Sequence, residues 1–343
     1  SSAGHQPMST RDGRYWMVFN GEIYNYLEIR KGLELDGHNF FSNSDSEVVL
    51  AAFRKWGQSC LQSLRGMFAF AIWDTSSRSL FLARDRMGIK PLVWAETAGG
   101  FLFASGINAM LASGLLARTV DPESLFDLLA TGSVCQPKTI IKGVESLGPG
   151  TCMRVTEGGV RTVTRYWNPN SAIAALRPEL QQLSYSELVS LTSKKLEDAC
   201  RAHLIADVQV GSFLSGGIDS TSVTALMSRN MTKPVKSFSL GFECTHEMEN
   251  ELDAAKLAAQ HIGCDHTEII LRGEDVAESF SDLIRMIDQP SYDGTNTYFV
   301  SKAASQQVKV ALSGLGGDEL FAGYPHFSLL ESASLRRKNI FDA

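Results

Sequence analysis

VQVGSFLSGGIDSTSVTALMSR, residues 208–229, contains an apolar run, a turn of small and hydroxyl residues, and an amphipathic run. This order predicts a strand, a tight turn and a helix that begins within the turn. Gly216 and Gly217 let the backbone approach an anion closely, and unpaired N–H groups at the start of a helix point towards it. The turn therefore predicts a phosphate-binding site, with Ser215 and Ser220 as hydroxyl donors.

Two other interpretations of this turn differ in what they require. A Walker A loop would have Gly-Lys-Ser or Gly-Lys-Thr after the glycines, and this chain has neither there. A helix that is simply N-capped after a glycine turn would need no ligand, and this alternative stays open from the local pattern alone. Asp219, in the first turn of the predicted helix, adds a carboxylate, a ligand type that suits Mg²⁺.

The bulk properties of the chain are those of a globular protein with room for two domains. It has 343 residues, of which 44% are hydrophobic and 20% are charged. A formal net charge of −6 argues against a dedicated nucleic-acid binder. The sequence has neither an apolar run of membrane-spanning length nor a recognisable signal peptide, so it predicts a cytoplasmic protein without a membrane partner.

The six cysteines are scattered along the chain and form no Cys-x-x-Cys pair. Such spacing favours reduced thiols over a disulfide framework or a zinc site. The string HIGCDH, residues 261–266, offers metal-ligand residue types, but Gly263 within it predicts the end of a helix that leads into a strand. We expect no metal site there.

The first 165 residues have a β-rich pattern. Residues 15–19 predict a strand, and Asn20-Gly21-Glu22 after them predicts a turn. Residues 67–73 and 79–83 predict a hairpin whose strands are apolar on both faces, as in the middle of a layered sandwich. The other elements predicted here are helices at 24–35 and 46–56 and short strands around 92–94, 101–104, 152–155 and 160–164.

The second half of the chain alternates between predicted helices and strands. Residues 166–183, with little periodicity and two prolines, predict an interdomain linker before it. Ser184 and Glu187 then form a capping-box pattern. The alternation predicts a mostly parallel sheet covered on both faces. Its predicted elements are helices at 184–203, 250–261, 274–287 and 297–307 and strands at 235–240, 266–271 and 308–312.

Three predicted strand ends carry chemistry, and ligands of parallel sheets bind at the carboxyl ends of strands. The first strand leads into the turn at residues 215–220, and the second ends in Leu240-Gly241-Phe242. The third leads into a second glycine-rich turn, SGLGGDE, at residues 313–319. Asp219 and Asp318, on two glycine turns at one edge, would hold one metal–polyphosphate between them.

Long strings in both halves resemble the glutamine-hydrolysing asparagine synthetase family, and the resemblance extends over nearly the whole chain. In the second half it rests on SGGIDS at 215–220 and SGLGGDELFAGY at 313–324. In the first half the matching strings are HQPM at 5–8, FNGEIYN at 19–25, SDSE at 44–47, GMFAF at 66–70 and RDRMGIKP at 84–91.

The resemblance implies a two-domain architecture. Residues 1–167 would be a type 2 glutamine amidotransferase domain that lacks its N-terminal part, an α+β N-terminal-nucleophile-type sandwich with αββα layers. Residues 168–183 would be the linker. Residues 184–343 would be an α/β parallel-sheet ATP-pyrophosphatase domain, similar to the adenine nucleotide α-hydrolases, that lacks its C-terminal part. A homodimer is compatible with this architecture.

For the first domain the resemblance implies glutamine hydrolysis by an N-terminal cysteine whose own amine acts as the base. Asn20 and the N–H of Gly21 would form the oxyanion hole, and Asp45 would bind the α-amino group of glutamine. Because Ser1 aligns inside the domain and the nucleophilic cysteine is not in this chain, we expect no glutamine hydrolysis from the chain as it stands. Without the resemblance, a helix N-cap stays open as an alternative role for Asp45.

For the second domain the resemblance implies that ATP and Mg²⁺ convert a carboxylate, aspartate in this family, into an acyl-adenylate. Ammonia passed from the first domain then attacks it, giving asparagine, AMP and pyrophosphate. The turn at residues 215–220 would hold pyrophosphate, and Asp219 and Asp318 would bind Mg²⁺. The residues implied to frame the adenosine are Leu214, Leu240, Ser313 and Gly314.

Leu315 departs from the family pattern, because asparagine synthetases usually have glutamate there, in Ser-Gly-Glu-Gly. Leucine can neither accept a proton nor bind an amine. A ligase for another carboxylate and a non-catalytic nucleotide-binding homologue therefore stay open as alternatives to asparagine synthesis. Residues 289–297, QPSYDGTNT, resemble the acceptor-side loop of paralogues that amidate other carboxylates. Gly106 also replaces a usual glutamate, a change from which the sequence predicts no consequence.

Overall fold

The chain folds into two compact units, which are described separately. A computed structural model describes residues 4–243, 246–292 and 294–330. Unit 1 comprises Ser1–Leu188 and the short segment Arg285–Tyr292. Unit 2 comprises Val189–Ile284 and Asp293–Ala343. The short segment therefore belongs to unit 1 although residues of unit 2 flank it on both sides in the sequence.

Unit 1 is built around antiparallel strands. Its strands are β1 (Met8–Ser9), β2 (Tyr15–Ile23), β3 (Gly66–Asp74), β4 (Ser79–Arg84), β5 (Val93–Thr97), β6 (Gly100–Ala104), β7 (Val144–Ser146), β8 (Thr151–Thr156) and β9 (Arg161–Arg165). Its helices are α1 (Tyr26–Leu35), α2 (Asp45–Trp56), α3 (Cys60–Ser63), α4 (Ile107–Ala112), α5 (Pro122–Thr131) and α6 (Pro169–Leu180). Six strands form one sheet, in the order β1-β2-β3-β4-β8-β9, and three form a second, in the order β6-β5-β7.

The side chains of unit 1 sort into three cores between four layers. Alternate residues of β3 face opposite ways, since Phe68 and Phe70 pack with α1, α2 and α3 whereas Ala69 and Ala71 pack between the two sheets. On the far side of the smaller sheet, Ile107 and other apolar residues of α4 pack against β5. Helices, sheet, sheet and helix follow one another, so the αββα sandwich expected from the sequence is confirmed.

Residues 84–91 form a loop that is held by the hydrogen bonds of two buried charged side chains, Arg84 and Asp85. The carboxylate of Asp85 accepts backbone N–H bonds from Phe68, Met87, Ile89 and Lys90, at 2.9–3.1 Å. The Arg84 guanidinium donates to the carbonyls of Gly88, Lys90 and Leu147. Both side chains are buried, and each is surrounded by groups of opposite polarity.

The turn predicted at Asn20-Gly21-Glu22 is wrong, because these residues continue β2. Each of them has a partner on β3: Asn20 lies opposite Ala69, and Gly21 lies opposite Phe68. Gly21 is required there by space, since a Cβ on it would lie 2.7 Å from the Cα of Phe68. The pairing of a nine-residue ladder outweighs the local turn preference of Asn-Gly.

Unit 2 contains a four-stranded sheet whose pairs are all parallel, which confirms the predicted parallel sheet. Its strands are β10 (Val210–Phe213), β11 (Lys236–Phe242), β12 (Asp265–Leu271) and β13 (Val310–Leu312), in the order β12-β11-β10-β13. Its helices are α7 (Tyr185–His203, which begins in unit 1), α8 (Ile218–Asn230), α9 (His246–Ile262), α10 (Gly273–Met286), α11 (Gly294–Ala304) and α12 (Gly317–Phe321).

Several sequence expectations in this part of the chain can be compared directly. The predicted linker contains a helix, α6, which starts with a proline and has no buried residue. The capping box is confirmed: the Ser184 N–H donates to the Glu187 carboxylate at 2.8 Å, and the Glu187 N–H donates to Ser184 Oγ at 3.4 Å. Leu240 lies inside β11, which runs two residues beyond the predicted strand end. Among the described residues, no helix is both long and apolar enough to span a membrane.

Candidate functional site

Asn20 lies on β2 of unit 1 and has a side-chain partner that the sequence did not indicate. Its amide Nδ2 donates to Ser105 Oγ at 3.3 Å. A primary amide carries two N–H donors, so one remains for a substrate oxygen. The residue after it is Gly21, whose backbone passes close to β3. Asn20 and Gly21 are therefore adjacent on a rigid, paired strand, as an oxyanion hole requires.

Asp45 is bound to the same strand. Its Oδ2 accepts the N–H of Ile23 at 3.0 Å, two residues beyond Gly21. It is the first residue of α2, and the N-cap is Ser44, whose Oγ accepts the N–H of Ser46. The N-cap alternative for Asp45 is therefore wrong. Desolvation raises the pKa of Asp45, although its hydrogen bonds oppose this shift.

A cavity of about 300 Å³ adjoins Asn20. Asn20, Ser105 and Gln6 all contribute to its wall, together with apolar residues such as Phe103. Gln6 is held in place because its side-chain amide bonds both the N–H and the carbonyl of Phe19. The volume is at the lower end of the range for small-molecule pockets. The supporting roles of Ser105 and Gln6 could not be assigned from the sequence, because a hydrogen bond between residues far apart in the chain leaves no local pattern.

The described cysteines of unit 1 do not supply a nucleophile at this cavity. Burial raises the pKa of Cys60 to about 12 and that of Cys152 to about 11, so both thiols stay protonated at neutral pH. Cys135 is exposed. The five described cysteines are all free, in agreement with the expectation of reduced thiols.

In unit 2 the turn after β10 is held by hydroxyl groups. Ser215 Oγ and Ser220 Oγ lie 2.9 Å apart, and the Ser215 N–H donates to Ser220 Oγ at 3.1 Å. Below them, Thr224 Oγ1 donates to the carbonyl of Ser220. Gly216 has a φ of 81°, and a Cβ on it would lie 2.7 Å from Ala254 of α9. The glycine is thus required both by its backbone conformation and by the closeness of a helix.

The start of α8 is suited to an anion. Its N-cap is Gly217, which has no side chain to accept the first N–H groups of the helix. These groups and the positive end of the helix dipole lie beside the Ser215 and Ser220 hydroxyls. Leu214, just before the turn, is buried and anchors it through its N–H to the carbonyl of Phe238 at 2.9 Å.

The structure brings the two glycine turns into direct contact. A Cβ on Gly314 would lie 2.7 Å from the backbone N of Ser220. A Cβ on Gly317 would overlap the carboxylate of Asp219. Gly317 is the first residue of α12 and Asp318 is the second, so the carboxylate of Asp219 lies against the backbone directly before Asp318. The proximity of the two turns predicted from the sequence is therefore observed.

Leu315 and Ile218 stand beside this contact and are the exposed apolar residues of the two turns. Leu315 is 74% exposed and Ile218 is 85% exposed. The Leu315 N–H donates to Ser313 Oγ at 3.1 Å, which gives the serine a role in shaping the turn. Leu240, by contrast, is a half-buried strand residue of β11.

The donor set of this contact fits Mg²⁺ together with phosphate oxygens. The Asp219 carboxylate lies in the contact and Asp318 follows Gly317 in the chain, so each turn carries one carboxylate, the kind of hard oxygen ligand that the ion prefers. Among the residues that the structure describes, no group of three or more His, Cys, Asp or Glu side chains could hold a metal by itself. A Mg²⁺ ion at protein sites commonly takes one or two carboxylates and completes its shell with substrate phosphates and water, which agrees with this pair.

Each half of the chain matches a known protein domain. A glutamine amidotransferase domain model matches residues 1–167, and an asparagine synthase model matches residues 192–341. A putative glutamine-hydrolysing asparagine synthetase of Mycobacterium tuberculosis is 39% identical over 97% of this chain. This chain belongs to the glutamine-hydrolysing asparagine synthetase family. Asparagine synthetase 1 of Bacillus subtilis is 36% identical over 94% of the chain.

The chain spans about half the length of these relatives, 51% of the mycobacterial protein and 49% of the Bacillus protein. The amidase chyE of Penicillium rubens is 31% identical over 95% of this chain and 50% of its own length. Among solved structures, the allosteric regulatory enzyme of purine biosynthesis aligns with a TM-score of 0.39 and 14% identity, covering 80% of this chain and 74% of that one.

Proposed function

We propose that the full-length protein is an ATP-dependent amide-forming ligase of the asparagine synthase (glutamine-hydrolysing) type, with glutamine as the nitrogen donor. The observation that carries the proposal is the contact between the two glycine turns, in which the Asp219 carboxylate meets the backbone before Asp318. A single helix N-terminus would suit many anions, whereas two acidic glycine turns in contact suit a metal–polyphosphate. The domain pair supports glutamine and ATP as substrates of one protein.

In the first half-reaction, unit 1 would hydrolyse glutamine. Asn20 and Gly21 would stabilise the oxyanion, since both lie on the paired strand β2 beside the cavity. Asp45, fixed to the same strand through Ile23, would bind the α-amino group of glutamine. The family resemblance implies a cysteine nucleophile, and the two buried thiols of unit 1, Cys60 and Cys152, do not suit that role because burial raises their pKa.

In the second half-reaction, unit 2 would activate a carboxylate. An oxygen of the acceptor attacks the α-phosphorus of ATP, the bond to the β-phosphate breaks, and pyrophosphate leaves. Ser215, Ser220 and the N–H groups of the α8 turn would bind that leaving group. Asp219 and Asp318 would hold Mg²⁺, which when bound neutralises polyphosphate charge. Ammonia then adds to the acyl carbon, loses a proton, and AMP leaves.

Aspartate is the acceptor that the asparagine synthetase relatives favour, and Leu315 favours an alternative. An exposed leucine beside the reacting groups cannot take the proton that the attacking ammonia must lose. A relative named as an amidase matches 95% of this chain. A ligase that amidates a different carboxylate is therefore the second candidate. We propose that either reaction takes place in the cytoplasm. We also propose a homodimer, which size-exclusion chromatography of the full-length protein would test.

The deciding experiment uses the full-length protein with ATP, Mg²⁺, ammonia or glutamine, and a panel of carboxylates, and follows pyrophosphate release. Release with aspartate only would establish asparagine synthesis, and release with another acid only would establish the second candidate. Asp219→Ala should abolish release in either case. If no acceptor on the panel gives pyrophosphate release, the ligase proposal is refuted; undiminished release from Asp219→Ala would refute the proposed metal site.

A further inference from the structure

Asp288 makes an unusual contact inside unit 1. One carboxylate oxygen accepts the N–H of Ile107 at 2.7 Å and the other accepts the N–H of Asn108 at 2.8 Å. These are the first two N–H groups of α4, so the carboxylate caps a helix that is 180 residues away in the sequence. The Asn108 side chain adds a bond to the carbonyl of Arg285 at 3.2 Å.

Gly106 is the residue that makes room for this carboxylate. A Cβ on Gly106 would lie 2.8 Å from the Asp288 Oδ1. The φ of Gly106 is −154°, an extended conformation that any residue adopts, so the glycine is required by space and not by its backbone. The absence of the usual glutamate at position 106 thereby has a physical reason: an acid is already present there, supplied by residue 288.

The rest of the segment is also attached to unit 1. The Gln289 side chain accepts the N–H of Ile140 at 3.1 Å. The Tyr292 N–H donates to the carbonyl of Gly132 at 3.1 Å, and Ser291 forms an isolated bridge with Ser133. The segment leaves α10 and enters α11, which both lie mainly in unit 2.

The contact at Gly106 lies one residue from the candidate oxyanion hole. Ser105 precedes Gly106, and its Oγ accepts the N–H of the Asn20 amide at 3.3 Å. That bond fixes the rotation of the amide about its last side-chain torsion, which is otherwise broad. A shift of Gly106 would move Ser105 with it, because the two share a peptide unit.

We propose that Asp288 is a positioning residue for glutamine hydrolysis, which acts by fixing Gly106 and with it the Ser105 hydroxyl that orients the Asn20 amide. This inference rests on the proposed function of unit 1. The Asp288–Ser105–Asn20 connection links a segment flanked by the nucleotide-binding half of the sequence to the group that would stabilise the oxyanion. Asp45, which would bind the substrate amine, is held by β2 and α2 and lies outside this connection.

The test compares full-length wild type with Asp288→Ala, Asp288→Asn and Ser105→Ala, and measures steady-state glutamine hydrolysis and ammonia-dependent pyrophosphate release. Removal of an oxyanion donor costs about 10²–10³ in kcat, so loss of its orientation is expected to lower kcat by at least about tenfold. The KM for glutamine should change by less than about twofold, because substrate binding through Asp45 is retained. Ammonia-dependent release should stay near the wild-type rate.

Asp288→Asn is expected to be intermediate in kcat, because its carbonyl can still accept one of the two N–H groups. Ser105→Ala should reproduce the fall in kcat of Asp288→Ala. Asp121→Ala is the matched control: Asp121 caps α5 of the same unit through the N–H of Ser124 at 2.9 Å, and its removal should leave both activities unchanged.

The outcomes separate the two proposals. If wild type hydrolyses glutamine and Asp288→Ala keeps its kcat, the positioning role is overturned while the proposed function stands. If Asp288→Ala loses glutamine hydrolysis and ammonia-dependent release in parallel, the residue has a general structural role and the inference is again overturned. A wild-type enzyme that hydrolyses no glutamine would overturn the proposed function of unit 1 itself.

A double-mutant cycle tests the contact independently of activity. Gly106→Ala places a methyl group within 3.0 Å of both Asp288 carboxylate oxygens and should lower the unfolding midpoint of the protein. In an Asp288→Ala background the three atoms nearest to the added Cβ are gone, so the same substitution should have a smaller effect. Equal effects of Gly106→Ala in both backgrounds would show that the two residues do not interact.

Discussion

Gly317→Ala perturbs the contact between the two glycine turns by a single methyl group. The added Cβ would lie well under 3.0 Å from the Asp219 carboxylate oxygen, whereas ordinary contact begins at 3.4 Å. The carboxylate must therefore move by about 1 Å, since repulsion rises steeply inside contact distance. It is the end of a side chain, so the strain is relieved by moving Asp219 and not by moving the sheet.

A displacement of about 1 Å at a catalytic or metal-binding group costs about 10²-fold in rate. We therefore expect Gly317→Ala to lower kcat/KM for ATP-dependent pyrophosphate release by about 10²-fold, which corresponds to about 2.7 kcal/mol of transition-state stabilisation. The unfolding midpoint should stay within about 2 °C of wild type, because the adjusted group is the end of a half-buried side chain on a turn and not part of the core.

The assay measures pyrophosphate release by the full-length protein as a function of MgATP, with thermal unfolding of the same preparation. Gly273→Ala is the matched control, because Gly273 starts α10 in the same unit and a Cβ there meets nothing within 4 Å. Wild-type kcat/KM in Gly317→Ala would refute the reasoning. An activity loss that only accompanies a large fall in the unfolding midpoint would refute it as well.

Three further predictions concern unit 1. Asp45→Asn should weaken glutamine binding yet stabilise the fold near pH 7, because desolvation raises the pKa of Asp45 and makes the ionised form costly. The gain in unfolding free energy should shrink as pH falls through that raised pKa, and a destabilised variant at pH 7 would contradict the prediction. Asp74→Asn should cost about 1 kcal/mol near pH 7, because the hydrogen bond from Arg14 lowers the pKa of Asp74. In denaturation curves the loss should begin to shrink only as pH falls below about 4, the ordinary pKa of aspartate, and should vanish as pH falls through the lowered pKa. In native protein at pH 8, iodoacetamide should label Cys135 and spare Cys60 and Cys152, as mass spectrometry of peptides would show.

The sequence predicted those parts of the fold that depend on local periodicity. The hairpin of β3 and β4 and the helix at 46–56 appear within about two residues of their predicted bounds, because each has an apolar face that must be buried. The turn predicted at Asn20-Gly21-Glu22 failed for the opposite reason. Local preference favours a turn there, but pairing with β3 over nine residues provides more hydrogen bonds and packing.

The candidate site also has a part that the sequence predicted and a part that it did not. The two glycine turns were predicted to meet because parallel strands present their carboxyl ends at one edge, and Gly314 and Gly317 do touch the start of α8. The residues that support Asn20 could not be predicted. Ser105 is 85 positions away from Asn20, and Asp288 is a further 183 positions along, so no sequence spacing reports either contact.

Gly106 is a departure from the family pattern that only the structure explains. In the sequence it is one missing glutamate, with no expected consequence. In the structure its α-carbon faces a carboxylate supplied by Asp288, which fills the space a side chain would need. The consequence depends on a contact between distant parts of the chain, and composition or periodicity carries no information on such a contact.

The central claim is that the turn after β10 binds the pyrophosphate of ATP. Its most direct test is phosphorus NMR of the full-length protein incubated with ATP, Mg²⁺, ammonia and the acceptor that gives turnover. The account predicts AMP and pyrophosphate in equal amounts, formed only when the acceptor is present and lost in Asp219→Ala. Formation of ADP and inorganic phosphate, or nucleotide turnover that ignores the acceptor, would contradict it.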